Sequence, residues 1–328
     1  MIKKALSGTQ YCSIAFCLVV SAFFFTDPIF TTPPSWLKHL LDLGHVVFFT
    51  VLTYVALKRL QLTKTYQQLL FALLLSFLLG GAIELAQAFL NRYAEWLDLR
   101  KDMAGGLSGF LFYQWRNTAL TQKRQWLAVL CWLPIVLESQ SFILSLYDQY
   151  KIHQQVPVLA DFENAYEIHR WKTSRPYAIS TEHSIQGEHS LKILLSKERP
   201  SGVEYAEFYR DWSTYSEFQL SLYNPQENTL AVTIKITDVE HDQGSQPYSD
   251  RFNYHITLKQ GWNKITIPLS AISSAPKNRL LDLSSISRLQ IFSGQLKQPR
   301  LLYIDAIQLL GNAKEPINKV SASKKPID

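Results

Sequence analysis

Residues 69–90 restrict this chain more than any other stretch, being 22 residues of Leu, Phe, Ala, Ile and Gly broken only by Ser76, Glu84 and Gln87. An apolar run of about 20 residues crosses the hydrocarbon of a bilayer, where each backbone N–H and C=O must be satisfied inside the segment. The run therefore reads as a transmembrane helix. An ionisable residue within such a span is expensive, which makes Glu84 a functional candidate from the outset.

Four further apolar runs share its half of the chain. The start, MIKK then YCSIAFCLVVSAFFF, has the charged and apolar regions of a secretory signal without an A-x-A cleavage site, so it reads as a retained first span. Runs at 40–57 and 103–115 flank the central one, and a fifth at 126–147 carries Pro134 and Glu138. Loop charge orients the set. Lys3, Lys4, Lys58, Arg59, Lys64, Arg116, Lys123 and Arg124 fall on one side, predicting a cytoplasmic N-terminus and an outward C-terminal half. Residues 1–160 hold 13 Lys and Arg against 8 Asp and Glu, and the remainder holds 20 against 19. The basic surplus thus sits where loop charge sets topology, and it is no footprint for nucleic acid. Cys12, Cys17 and Cys131 all lie in apolar runs, which leaves no disulfide framework for the rest of the chain.

From Asp161 the periodicity changes to two. In TLAVTIKITD, Leu230, Val232, Ile234 and Ile236 alternate with smaller or polar residues, and Phe252, Tyr254, Ile256 and Leu258 do so in FNYHITL. About eight such runs separated by turn residues predict a β-sandwich or jelly roll. The expected architecture is multidomain: an α-helical membrane bundle of about five transmembrane helices over residues 1–150, a polar linker at 151–160, an all-β jelly-roll sandwich over 161–310, and a disordered tail at 311–328.

The polar residues of the first half share one depth if the spans alternate. Asp42, His45, Glu84, Gln87, Arg92, Asp98 and Asp102 then gather toward the outer face, predicting one outward-opening pocket among three helices. Asp42 and His45 are three apart, as are Glu84 and Gln87, and such pairs project from one side of a helix. Gly105 and Gly109, spaced G-x-x-x-G, permit close helix contact. Within the charged stretch between the third and fourth runs, Arg100 and Lys101 read as ordinary solvated loop residues.

These motifs carry a resemblance. D-x-x-H at Asp42 to His45, E-x-x-Q at Glu84 to Gln87, Arg92, and Asp98 leading to the paired glycines together resemble the VanZ-like family of bacterial membrane proteins, over roughly residues 36–116. Leu43 stands where that pattern has lysine, and Asp102 where it has asparagine. The resemblance implies a role at the cell envelope and names no reaction. Glu84 has two open readings, a bundle-holding partner of His45 or Arg92 and a ligand or catalytic group. His45 and Glu84 are the acid/base candidates of the enzyme reading.

The second half is similar to carbohydrate-binding modules with a galactose-binding-like jelly roll. The similarity covers residues 161–310 and rests on Asp161-Phe162-Glu163, the Gly187 to Leu191 turn, Asp211-Trp212-Ser213, Gly261-Trp262-Asn263 and the last strand from Leu302 to Ile307. It implies a structural calcium held by Glu163 and Asp305, and a glycan stacked on aromatic residues, for which Trp171, Tyr177, Tyr209 and Tyr248 are available. Trp212 and Trp262 are assigned to packing. No G-x-S-x-G, H-E-x-x-H, C-x-x-C or phosphate-cradling loop occurs.

The function predicted on this basis is a multi-pass protein of the bacterial cytoplasmic membrane, in contact with the lipid bilayer. Its extracytoplasmic sandwich binds a glycan or other envelope polysaccharide. The alternatives are a membrane transferase or hydrolase acting on a lipid-linked or head-group substrate, and a structural scaffold.

Overall fold

The computed structural model describes residues 34–89, 96–119, 121–197, 200–294 and 296–311. The first apolar run, Arg92 and the 312–328 tail lie outside these. The chain divides into two compact units, residues 1–147 and 148–328.

The first unit is helical: α1 (Ser35–Leu60), α2 (Thr65–Phe89), α3 (Trp96–Asn117), α4 (Gln122–Leu130) and α5 (Leu133–Gln155), whose last turns belong to the second unit. Among the described residues three segments are long and apolar enough to cross a membrane: α1, α2, and α4 with α5 taken together. Three of the expected spans are thus found among the described residues. The first run falls outside the described residues, and α3 opens with a charged turn that lowers its hydropathy.

Buried polar residues share the interior of the helices with small apolar clusters around Phe49 and Leu57, and much of the outward surface is apolar. Leu74, Phe77, Leu78 and Leu85 of α2 are exposed, as are Val136, Leu137, Ile143 and Leu144 of α5. In water such a surface would be unstable, whereas lipid covers it at no cost. The glycines of α3 set the packing. A Cβ on Gly105 would strike Val46 and Phe49 of α1, and one on Gly109 would strike Thr50 and Thr53 one turn further on. The backbones of α1 and α3 thus meet as closely as G-x-x-x-G permits.

The start of α3 corrects the charged-loop reading. Asp98, Arg100, Lys101 and Asp102 are helical from Trp96 onward. Asp98 sits in the first turn, where a carboxylate complements the helix dipole, and its partner Lys101 is three residues on.

The second unit is a sandwich of two antiparallel sheets. One runs β3 (Tyr177–Ser180), β4 (Ser190–Leu195), β11 (Arg300–Leu310), β6 (Glu217–Asn224) and β9 (Gly261–Pro268), with β1 (Val158–Ala160) also paired to β11. The other runs β2 (Trp171–Lys172), β5 (Ser201–Tyr205), β10 (Ile286–Ser293), β7 (Leu230–Asp238) and β8 (Phe252–Leu258). Residues at alternate positions, among them Val203, Ile234, Ile236, Leu289, Ile291, Ile193 and Leu302, close the core between the sheets.

The stretch read as a polar linker is structured at both ends. α5 runs on to Gln155, and β1 pairs Val158 with Gln308 and Ala160 with Ile307. A buried ion-pair network holds this segment: the Arg170 guanidinium donates to Asp148 from Nε and Nη2, at 3.0 and 2.7 Å, and from Nη1 to Gln155 at 3.2 Å. Glu167, also buried, accepts from Gln155 and from the Phe162 amide. Burying these charges is tolerable because each carries several partners.

Candidate functional site

Two polar constellations stand out, one in each unit. In the helical unit His45 on α1 meets Asp102 on α3, with Nδ1 and Oδ1 2.8 Å apart. His45 is 6% exposed and Asp102 fully buried. Gly80 of α2 provides the space, since a Cβ there would overlap the Asp102 carboxyl group. Asp102 is therefore enclosed by three helices. Beside this pair, Lys101 bridges Asp98 at 2.6 Å and Asp42 at 2.9 Å. The solvated reading of Lys101 is thus corrected, because two carboxylates on different helices hold its ammonium in a half-buried place. Arg100 reaches Glu138 of α5 at 2.9 Å and stays largely exposed.

Of the seven expected pocket residues the structure brings His45 together with Asp102, and Asp42 together with Asp98 through Lys101. Glu84 and Gln87 are buried on α2, one and two turns beyond Gly80. Arg92 lies outside the described residues. A cleft of about 150 Å³ opens next to the lysine and is lined by Lys38, His39, Asp42, Arg100, Lys101 and Glu138. It lies between α1, α3 and α5. His45, Glu84 and Gln87 do not line it, so the acid/base candidates and the open cleft are separate features.

In the sandwich the two expected calcium ligands meet one loop. A bulge in β11 at Ala306, whose φ is +50°, turns the Asp305 carboxylate onto the backbone N–H groups of Ile185 at 2.7 Å and Gln186 at 3.1 Å. Glu163 accepts from Glu188 N–H at 2.8 Å, from His189 N–H at 2.9 Å and pairs with His189 Nδ1 at 3.0 Å. Gly187 has a φ of +69° between these contacts, and a Cβ there would enter the Glu163 carboxylate. His189, then the backbone donors, hold Glu163 below the usual carboxylate range, whereas burial pushes Asp305 up against its three N–H contacts. A calcium cage needs about six to eight converging oxygens. This loop presents N–H donors instead, and the arrangement does not fit the ion.

Three of the four expected stacking residues are packed rather than offered. Trp171 is 2% exposed and stacks on Tyr205 inside the core, with centroids 4.3 Å apart. Tyr177 and Tyr209 are half-buried against the same core, and Tyr209 meets His153 edge-on. Trp171, enclosed in this way, has no face left for a sugar, whereas Tyr177 and Tyr209 are only partly covered. Tyr248 alone of the four is open, at 63% exposure.

The sequence reading missed the outward side of the five-stranded sheet. Strand register aligns Lys172, Glu204, Gln290, Lys235 and Asn253 in one row across all five strands. The next row is Gly202, Phe292, Thr233 and His255. Gly202 makes space for its neighbour, because a Cβ there would run into Phe292. His255 links Thr233 at 2.9 Å to the Tyr248 hydroxyl at 3.2 Å, and Gln290 donates to Glu204 at 2.6 Å. Arg288 pairs with Asp242 at 2.8 Å, and the Arg251 guanidinium lies over the Tyr248 ring at 4.9 Å. Burial, then Arg251 and Arg288, lower the Lys235 ammonium from the usual lysine range, ahead of the opposing pull of Asp242 and Glu204. The signal was present in TLAVTIKITD, since its polar alternate positions are the ones on this face.

Known proteins resemble the two units separately. The VanZ/LLP1 family model matches residues 9–117, so the helical unit carries that domain. No curated protein matches the chain. Among solved structures, an exo-beta-agarase is 16% identical, over 48% of this chain and 25% of its own, with a TM-score of 0.38. The family 11 carbohydrate-binding module of the cellulosomal cellulase Lic26A-Cel5E of Clostridium thermocellum is 18% identical, over 47% of this chain and 93% of its own, at 0.36. The agarase AgWH50C is 16% identical, over 48% and 26%, also at 0.36. The match thus spans about a quarter of either agarase chain.

Proposed function

We infer that this is a membrane protein of the bacterial envelope whose sandwich binds a glycan, holding it on the extracytoplasmic side of the cytoplasmic membrane. One observation carries this reading: the outward side of the five-stranded sheet is an open, registered grid of hydrogen-bonding side chains with Phe292 and Tyr248 beside them. Sugars are recognised by such planar sets of amides, hydroxyls and charges flanked by aromatic surface. The sequence resemblance of residues 161–310 to carbohydrate-binding modules supports the same reading. Loop charge supports the outward placement.

The test uses the full chain in detergent micelles, pulled down on insoluble envelope polysaccharides. Retention that Gln290→Ala and Asn253→Ala together abolish is the expected result; no retention on any polysaccharide removes the reading. Reporter fusions after Arg116 and after Gln155 check the placement, and a cytoplasmic signal at Gln155 would reverse it.

The buried His45–Asp102 pair favours a second reading, a transferase or hydrolase for a lipid-linked or head-group substrate. A carboxylate that fixes the imidazole tautomer is the arrangement used for proton transfer, with His45 as acid or base and Asp102 as its positioning residue. Cells carrying His45→Gln with a normal protein level and an unchanged envelope would refute it.

A further inference from the structure

The grid on the five-stranded sheet has an electrostatic imbalance that a neutral sugar would not use. Its carboxylates are engaged: Asp242 by Arg288, and Glu204 by Gln290. Of its cations, Arg288 is matched by Asp242, whereas Lys235 and Arg251 are not. Among the described residues Lys235 enters no ion pair or side-chain hydrogen bond, and the two guanidiniums around it, Arg251 and Arg288, act on it more strongly than the two carboxylates, Asp242 and Glu204. Arg251 likewise forms no ion pair among the described residues, and its buried Nε has no acceptor. The Asn253 Oδ1 atom, next to Lys235 in the row, is buried without a donor. Folded proteins rarely leave such groups unmatched, and several together ask for an explanation.

We propose that this face is a subsite for a carboxylated, uronate-type polysaccharide, with Lys235 and Arg251 taking the carboxylates and Gln290 and Asn253 taking neighbouring hydroxyls. The proposal rests on the glycan-binding reading above and names its substrate class. Three features favour carboxylate over a phosphate polymer. Guanidinium forks match a planar carboxylate in two parallel hydrogen bonds. Neutral amides, Gln290 and Asn253, flank Lys235 in its row, where the hydroxyls beside a sugar carboxylate would lie. The cations also lie across adjacent strands of a broad sheet rather than converging on one tetrahedral anion. Bringing a carboxylate in relieves the mutual repulsion of Lys235 with Arg251 and Arg288, so binding gains from an arrangement that the free protein holds at a cost.

The experiment measures binding of the full chain in detergent micelles to four soluble polymers: polygalacturonate, its fully methyl-esterified form, a neutral mixed-linkage β-glucan, and polyphosphate. The methyl ester keeps the hydroxyls and removes only the charge. Polygalacturonate is expected to bind at least about 10-fold more tightly than the other three, as charge-assisted hydrogen bonds require. Lys235→Gln and Arg251→Gln are each expected to weaken it about 10-fold. Lys264→Gln, an exposed change on the other sheet, is expected to leave it unchanged. Melting of each variant reports folding, and Lys235→Gln should melt no lower than the parent.

Equal binding of the ester or the β-glucan overturns the charge selectivity while leaving glycan binding intact. Polyphosphate binding as tight as polygalacturonate overturns the carboxylate assignment. Polygalacturonate binding that Lys235→Gln and Arg251→Gln leave untouched, or that Lys264→Gln reduces equally, overturns the location. Failure to bind any polymer sinks this proposal, and the glycan reading falls with it only if insoluble envelope polysaccharides also retain nothing.

Discussion

The charged groups of the helical unit and those of the outer sheet face obey opposite rules. Near the tops of α1 and α3 the charged side chains form pairs: Lys101 with Asp42 and Asp98, Arg100 with Glu138, and His45 with one carboxylate oxygen of Asp102. On the sheet, Lys235 and Arg251 enter no ion pair among the described residues, and Asp242 and Glu204 act on Lys235 only from a distance. The difference follows from the solvent each set meets. Apolar surroundings make an unpaired charge expensive, so the helices bring partners together. A sheet face in water tolerates unmatched cations and can keep them for a ligand. Closed sets therefore hold the fold together whatever else they do, and open sets are evidence about binding.

The sharpest way to break this comparison is to open the closed set. His45→Ala strands the fully buried Asp102 carboxylate, and removing one partner of a buried pair costs about 3–5 kcal/mol. Thermal unfolding in micelles should show that loss. Asp102→Asn keeps a hydrogen bond to the imidazole and removes only the charge; it should cost no more than about 1 kcal/mol. Equal losses for the two variants would mean that the charge itself matters, and loss from neither would remove the closed-set account.

The sandwich contains a closed set of its own. Arg279 holds buried Asp238 at 2.5 and 2.8 Å and Asp250 at 2.6 and 2.9 Å. Asp238 lies below the usual carboxylate range: burial works against its ionisation, and Arg279 with the Asp282 and His241 amides outweighs burial. Asp250 is lowered too, first by Arg279. Carboxyls lowered on folding contribute stability that is fully present above their ordinary range and lost as pH falls through their lowered values. Arg279→Ala should therefore cost about 2–3 kcal/mol at neutral pH and flatten the acid limb of the stability profile. An unaltered acid limb would show that the carboxylates responsible lie elsewhere.

These contrasts also separate what the sequence could tell from what it could not. Apolar run length located α1 and α2, and period two located the core residues of β7, because both depend on neighbours along the chain; in β8 it held for Phe252 and Leu258, whereas Tyr254 is exposed. The G-x-x-x-G of Gly105 and Gly109 likewise marked a close helix contact. His45 with Asp102 is a different case, since the two residues are 57 apart and the pairing follows from how α1 and α3 pack. The Glu204–Gln290–Lys235 row depends on register between strands distant in sequence, which periodicity does not encode. Aromatic identity misled at Trp171, because a ring suited to stacking on sugar is equally suited to stacking on Tyr205.

The smallest stability effects test the open set. At neutral pH the lowered Lys235 carries its charge at a cost, because burial and then Arg251 and Arg288 oppose it. A base whose value falls on folding makes stability rise with pH between the lowered value and the ordinary lysine range, so the charged form weakens the fold below that window. Lys235→Met removes the charge and keeps the stem packing. It should stabilise the sandwich, by about 0.5–2 kcal/mol as relieved surface charges do, while weakening polygalacturonate binding. A variant that is more stable yet binds less separates a functional cation from a structural one. Lower stability together with lower binding would make Lys235 an ordinary part of the scaffold, and the contrast between closed and open sets would lose its main support.

The last prediction is of no effect. Because Glu163 and Asp305 are filled by the N–H groups of residues 185–189, this loop should hold its shape without an ion. Melting of the sandwich in excess chelator should then match melting in millimolar calcium. A ligand that binds only the folded state at 100 times its dissociation constant would add about 2.7 kcal/mol, which is easily seen in a melting curve. Such a shift would mean that the loop turns its carbonyls inward when calcium is present. Glu163→Gln separates the two cases: it keeps acceptors for the Glu188 and His189 amides, so it should be mild if N–H groups fill the site and should abolish the calcium shift if they do not.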